Sequence, residues 1–190
     1  MPDDLAETLP LAARLALSYA PAHARRAVLA LLLLDRRLAA ILTAGGEPAI
    51  AQFKLAWWRE RLSEPATRWP EGEPLLALLR DWPGDFAALA GMVDGWEMLL
   101  SDRLDPPAIA QYAQGRGQGW SALGAAFGAQ HARDALAATA KAWALADLLL
   151  HLGPGDDADA VRAALAGQPP CGSPLPRALR PLAVLHALTM

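Results

Sequence analysis

The chain of 190 residues is long enough to bury a core without disulfides or a structural metal, and with 54% hydrophobic against 19% charged residues it reads as one globular domain over 1–190. A net charge of −3 and a pI near 5.8 exclude the global electrostatic footprint of a nucleic-acid binder. The lone Cys171 excludes an intramolecular disulfide and a multi-cysteine zinc site, and fits a reducing, cytoplasmic compartment.

Ala and Leu dominate and β-branched residues are scattered, so the expected fold class is all-α. The amino terminus, Met1-Pro2-Asp3-Asp4, is acidic where a secretory signal needs basic residues, and Arg14 interrupts the apolar stretch behind it. Proline and glycine then punctuate the helices, because proline has no amide donor for a helix interior and glycine suits the position after a helix end. A first helix is predicted over residues 5–19, ending near Pro21. A second covers 23–42, closed by Gly45-Gly46, and a third opens at Pro48 and runs to Leu62. The longest apolar run, Ala27 to Leu34, is too short for a hydrocarbon layer of roughly 30 Å. The mean hydropathy of +0.17 therefore points to a very apolar core or to an exposed surface for a partner or lipid.

Residues 63–73, with Pro65, Pro70 and Gly72, read as a loop, followed by a short helix over 74–80 and a longer one over 85–101 with Asp85 as N-cap. The next helix, 107–127, follows Asp105-Pro106 and contains Gly115, Gly117, Gly119 and Gly124, each costing about 1 kcal/mol relative to Ala. Two readings account for them: close approach of a neighbouring helix, or clearance for an elongated lipid. A helix over 132–152 precedes an acidic turn at Asp156-Asp157, a short helix ending at Ala166, a loose Pro/Gly segment over 167–176 and a last helix over 177–188 that restarts at Pro181.

Few side chains carry a chemical signature on their own. The four histidines lack metal-ligand spacing, and Cys171 has no neighbouring base, which suits an inert thiol. Asp94, Glu97 and Ser101 share a helix face, either as a solvated surface or as part of an acid site. Asp35 follows a strongly apolar run. Either it forms an ion pair with Arg59 or Arg37, or it is the remnant of an ion site. Trp57 and Trp58 point about 100° apart on one helix, so one is expected in the core and the other at an interface.

The segment Glu47-Pro48-Ala49-Ile50-Ala51-Gln52-Phe53-Lys54-Leu55-Ala56-Trp57-Trp58-Arg59-Glu60 resembles the "EP…GQ…WWR(D/E)" block of the squalene/phytoene synthase family. Met92 to Met98 and Tyr112 to Gly117 are similar to two further family segments, the first with Leu99 at the family's acid. The resemblance implies a helical bundle of the isoprenoid synthase type. In the family's synthases, two acidic motifs on separate helices hold magnesium against a prenyl diphosphate. Aligned on them, the first motif's paired aspartates fall on Ala39 and Ala40. The second motif places Ala144, Asp147, Leu150, His151 and Gly155 where the family has Gln, Asn, Arg, Asp and Asp. The chain ends where the family usually continues, so part of the cavity wall is expected to be absent.

These departures are similar to those of the branch containing the mitochondrial respiratory complex I assembly factor related to phytoene synthase. They imply a homologue without catalytic residues or a metal, binding a protein partner or an isoprenoid-like lipid, with peripheral contact to an inner membrane. The residues brought forward as substrate- or lipid-binding are Asp35, Arg36, Gln52, Trp57, Trp58, Arg59, Tyr112 and Asp147. The alternative is a divergent magnesium-dependent prenyl diphosphate transferase that uses Asp35, Asp94, Glu97 and Asp147, which requires these acids to converge on one cavity. A third reading is half of a heteromer whose partner supplies the acids.

Overall fold

A computed structural model of the chain describes residues 2–45, 47–170 and 174–190. Gly46 and Cys171, both invoked above, lie outside the described residues. Among those described there are ten α-helices and no strand. They are α1 (Pro2–Glu7), α2 (Leu11–Ser18), α3 (Ala22–Thr43), α4 (Pro48–Ser63), α5 (Pro74–Leu79), α6 (Phe86–Glu97), α7 (Pro106–Ala126), α8 (Arg133–Leu149), α9 (Asp156–Ala166) and α10 (Arg180–Thr189).

Three elements differ from the sequence reading, each for a local reason. The single first helix is two, because Pro10 cannot donate to a continuing helix and instead stands in extended backbone ahead of α2. The loop over 63–73 contains a 3-10 turn, Ala66–Arg68. Asp156 and Asp157 form the first turn of α9 rather than a turn before it, and with Asp159 they face the positive end of that helix's dipole. The expected cap Asp85 is in place, accepting from the Ala87 amide, and Asp105 caps α7 in the same way by accepting from the Ala108 amide.

α3 runs through the centre of the bundle, with an unbroken buried stretch from Ala27 to Asp35. Its apolar residues join those of the surrounding helices in one contiguous core. α6 and α7 pack backbone against backbone. A Cβ at Gly115 would lie 2.6 Å from the Gly91 carbonyl oxygen and 2.7 Å from the Gly95 Cα. The glycines therefore let two backbones touch, and Gly119 and Gly124 likewise make room for Leu31 and Leu136. Of the two readings of that pattern, close packing accounts for all four positions in α7, since Gly117 faces Ala140. This approach fixes the depth at which α7 presents its polar side chains to α3 and α8.

Candidate functional site

Asp35, Tyr112, Arg116 and Asp147 come from three helices and meet in the interior. Tyr112 and Arg116 are one turn apart on α7, and Trp143 and Asp147 one turn apart on α8, so each pair shares a helix face. Arg116 is the hub. Its Nε and Nη2 donate to the two oxygens of Asp35 at 2.9 and 2.8 Å, and its Nη1 donates to Asp147 Oδ2 at 2.7 Å and to the Tyr112 hydroxyl oxygen at 2.9 Å. Trp96 adds a donor to Asp35 Oδ1 at 3.0 Å. The guanidinium also lies 4.1 Å from the Trp143 ring centroid and 4.9 Å from that of Trp96, contacts that favour a cation.

The Arg116 side chain is 4% exposed and that of Asp35 13%, against 26% for Asp147. Burial by itself would lower the Arg116 pKa, but the attraction of Asp35, with smaller contributions from Tyr112 and Asp147, holds it well above the usual arginine range. Arg116 is a fixed charge. Burial likewise pushes the Tyr112 hydroxyl far above its ordinary value, so it remains a protonated donor at neutral pH.

This cluster forms one side of a cavity of about 450 Å³, a volume within the range of small-molecule sites. The rest of the wall is largely apolar and drawn from α2, α3, α8 and α10, with Leu150 and Leu188 at the rim. Positions aligned with the family's acids line the same cavity: Ala39, Leu99 and His151 all face it, beside Asp147. Ala40 instead lines a groove on the opposite flank of α3.

The eight residues brought forward from sequence separate into two groups. Asp35, Arg36, Tyr112 and Asp147 line the cavity, Arg36 at its exposed edge. Gln52 is exposed on α4, while Trp57 and Trp58 border the groove between α3 and α4. Trp58 is buried and Trp57 half-buried, their rings edge-to-face. Arg59 pairs with Asp94 and Glu97. The pairing suggested for Asp35 is corrected: Arg37 bonds Glu73 and Arg59 is taken by α6, so the partner is Arg116. Sequence reasoning missed Arg116, together with Trp96 and Trp143. The available signal was an arginine set among four glycines, one turn after a tyrosine and off the helix face that carries Gln111, Gln114 and Gln118.

Magnesium requires carboxylate oxygens free to turn towards it in octahedral geometry. The donor set here does not fit. Both oxygens of Asp35 and one of Asp147 are taken by a guanidinium, Asp94 and Glu97 are taken by Arg59, and no three potential ligands gather among the described residues.

The described residues form an all-α bundle with an open, largely apolar cavity on one side of α3. The squalene/phytoene synthase family model matches residues 13–154, and the chain belongs to that family. No curated protein and no solved structure matches it. Among the described residues no helix is long and apolar enough to cross a membrane.

Proposed function

We propose that this chain is a non-catalytic member of the squalene/phytoene synthase family that binds an isoprenoid-like lipid in the cavity between α2, α3, α8 and α10. The observation that carries the reading is Arg116. Where the family's synthases bring two acidic helices together around metal ions, α3 and α8 here are joined by a guanidinium supplied by α7. A cation covalently attached to the chain occupies the carboxylate oxygens that face it without offering an open coordination position to a diphosphate. The largely apolar walls of the cavity, with Leu150 and Leu188 at its rim, support the reading.

The test is a calorimetric titration of the full chain with farnesol, farnesyl diphosphate and geranylgeranyl diphosphate, with and without magnesium, followed by product analysis. Binding of a prenyl compound with no magnesium-dependent product is expected. Magnesium-dependent formation of a condensed prenyl product would restore the transferase reading.

A scaffold role beside a membrane-bound respiratory complex is the second reading. One observation favours it: Ile50, Phe53, Lys54 and Trp57 form one face of α4, and Phe53 is 75% exposed there. It predicts that Phe53→Ser leaves folding intact and abolishes co-sedimentation of the protein with the membrane complex.

A further inference from the structure

α2 serves the cavity on its inner side and meets solvent on its outer side. Pro10, Ala12 and Ala13 line the cavity. Leu11, Leu15 and Tyr19, spaced one turn apart, form an apolar stripe whose members are 73%, 43% and 54% exposed. Isolated exposed leucines are ordinary, whereas a stripe of large apolar side chains on one helix face marks an interaction surface. The stripe adjoins the cavity mouth. α10 packs against both α2 and α8, and the rim residues, Leu188 on α10 and Leu150 at the end of α8, are themselves exposed.

We infer that this protein docks on a phospholipid bilayer through the outer face of α2, with the cavity mouth turned to the membrane so that its ligand enters from the lipid phase. The inference rests on the lipid-binding reading above and adds the route. A prenyl chain resides in bilayers rather than in water, because transfer of its apolar surface out of water is strongly favourable. The stripe suits the same phase. Leucines on one side of a helix sink to the headgroup boundary, and tyrosine joins an apolar ring to a hydroxyl that favours that level. Arg14 shares the stripe's face, is exposed and makes no ion pair among the described residues, which leaves its guanidinium for the lipid phosphates. α2 carries no acid. The acids of α1, Asp3, Asp4 and Glu7, equal the exposed Arg14, Arg25 and Arg36 in number. Docking therefore does not depend on anionic lipid: apolar burial supplies the affinity and Arg14 sets the depth.

The experiment is co-sedimentation of the full chain with phosphatidylcholine vesicles, beside calorimetric titration with farnesol. Wild type is expected to partition onto the vesicles and to stay there in about 0.5 M salt, where exposed charges are screened. Leu11→Gln with Leu15→Gln, which keeps good helix formers on α2, should weaken partitioning about ten-fold or more. Neither leucine lines the cavity, so farnesol binding in solution should be unchanged. Phe53→Ser on α4 should partition like wild type. No partitioning of wild type, or release by salt, would overturn the inference, as would an undiminished double variant or loss in Phe53→Ser instead. A dimer in vesicle-free solution that the double variant dissolves would assign the stripe to a second copy of the chain and also overturn it. Should the double variant not fold, Leu11→Gln alone, at the most exposed position of the stripe, is expected to weaken partitioning about three-fold or more. Farnesol binding without vesicle binding leaves the lipid-binding reading standing, whereas absence of farnesol binding sinks that reading whatever the vesicles show.

Discussion

Replacing Arg116 with methionine keeps most of the side chain's length and removes its charge. The structure sets the size of the effect. Four hydrogen bonds vanish, and Asp35, 13% exposed, loses its counter-ion and keeps only the Trp96 donor. Removing one partner of a buried pair costs about 3–5 kcal/mol. Asp147, at 26% exposure, adds little because water can solvate it, which places the expected loss in the middle of that range. For a domain of this size each kcal/mol moves the Tm by about 2–4 °C, so thermal unfolding followed by circular dichroism should show a fall of roughly 8–16 °C. Asp35→Asn added to the variant should recover part of this. Millimolar magnesium should raise the Tm of Arg116→Met and leave wild type unmoved, because two carboxylates on facing helices are then free to share a cation. A loss below about 1 kcal/mol, the range of exposed pairs, would mean that water screens the cluster, and the argument from its buried charge would collapse.

Other perturbations test the frame around the site. Gly115→Ala should destabilise by about 1–3 kcal/mol despite its helix propensity, since the new Cβ meets backbone of α6, whereas Gly117→Ala meets only the Ala140 Cβ at 3.2 Å and should be close to neutral in urea unfolding. Arg59→Ala should cost no more than about 1 kcal/mol, because its partners Asp94 and Glu97 are 47% and 30% exposed. His186 has a buried Nδ1 without a partner, and burial holds its pKa below the ordinary 6.5. The unfolded chain therefore takes up a proton first as pH falls. The contribution of neutral His186 is complete above 6.5 and declines below it towards the folded pKa. His186→Leu should flatten the pH dependence of stability in that acidic window, and an unchanged slope would refute the assignment.

Helix positions were legible because prolines, glycines and acidic caps act locally. Asp85 and Asp105 each bond an amide two or three residues away, so their role needs no knowledge of the rest of the fold. Pro10 was the exception, its break hidden within an otherwise continuous apolar pattern. The site was half legible. Asp35, Tyr112 and Asp147 stood out through family alignment, but the residue that unites them lies 81 positions from Asp35 and 31 from Asp147. Nothing local marks such a pairing; it exists only because Gly91, Gly95 and Gly115 let α7 sink against α6.

The central cation also has a consequence for conditions inside a cell. A bound divalent ion can be withdrawn by chelators, competed away by nucleotides or lost as pH falls, and a site built on one follows the supply. Arg116 is carried on the backbone of α7 and stays charged at any pH the folded chain meets. Whatever the cavity holds, its electrostatics are set at synthesis, and EDTA should leave both its shape and its selectivity untouched.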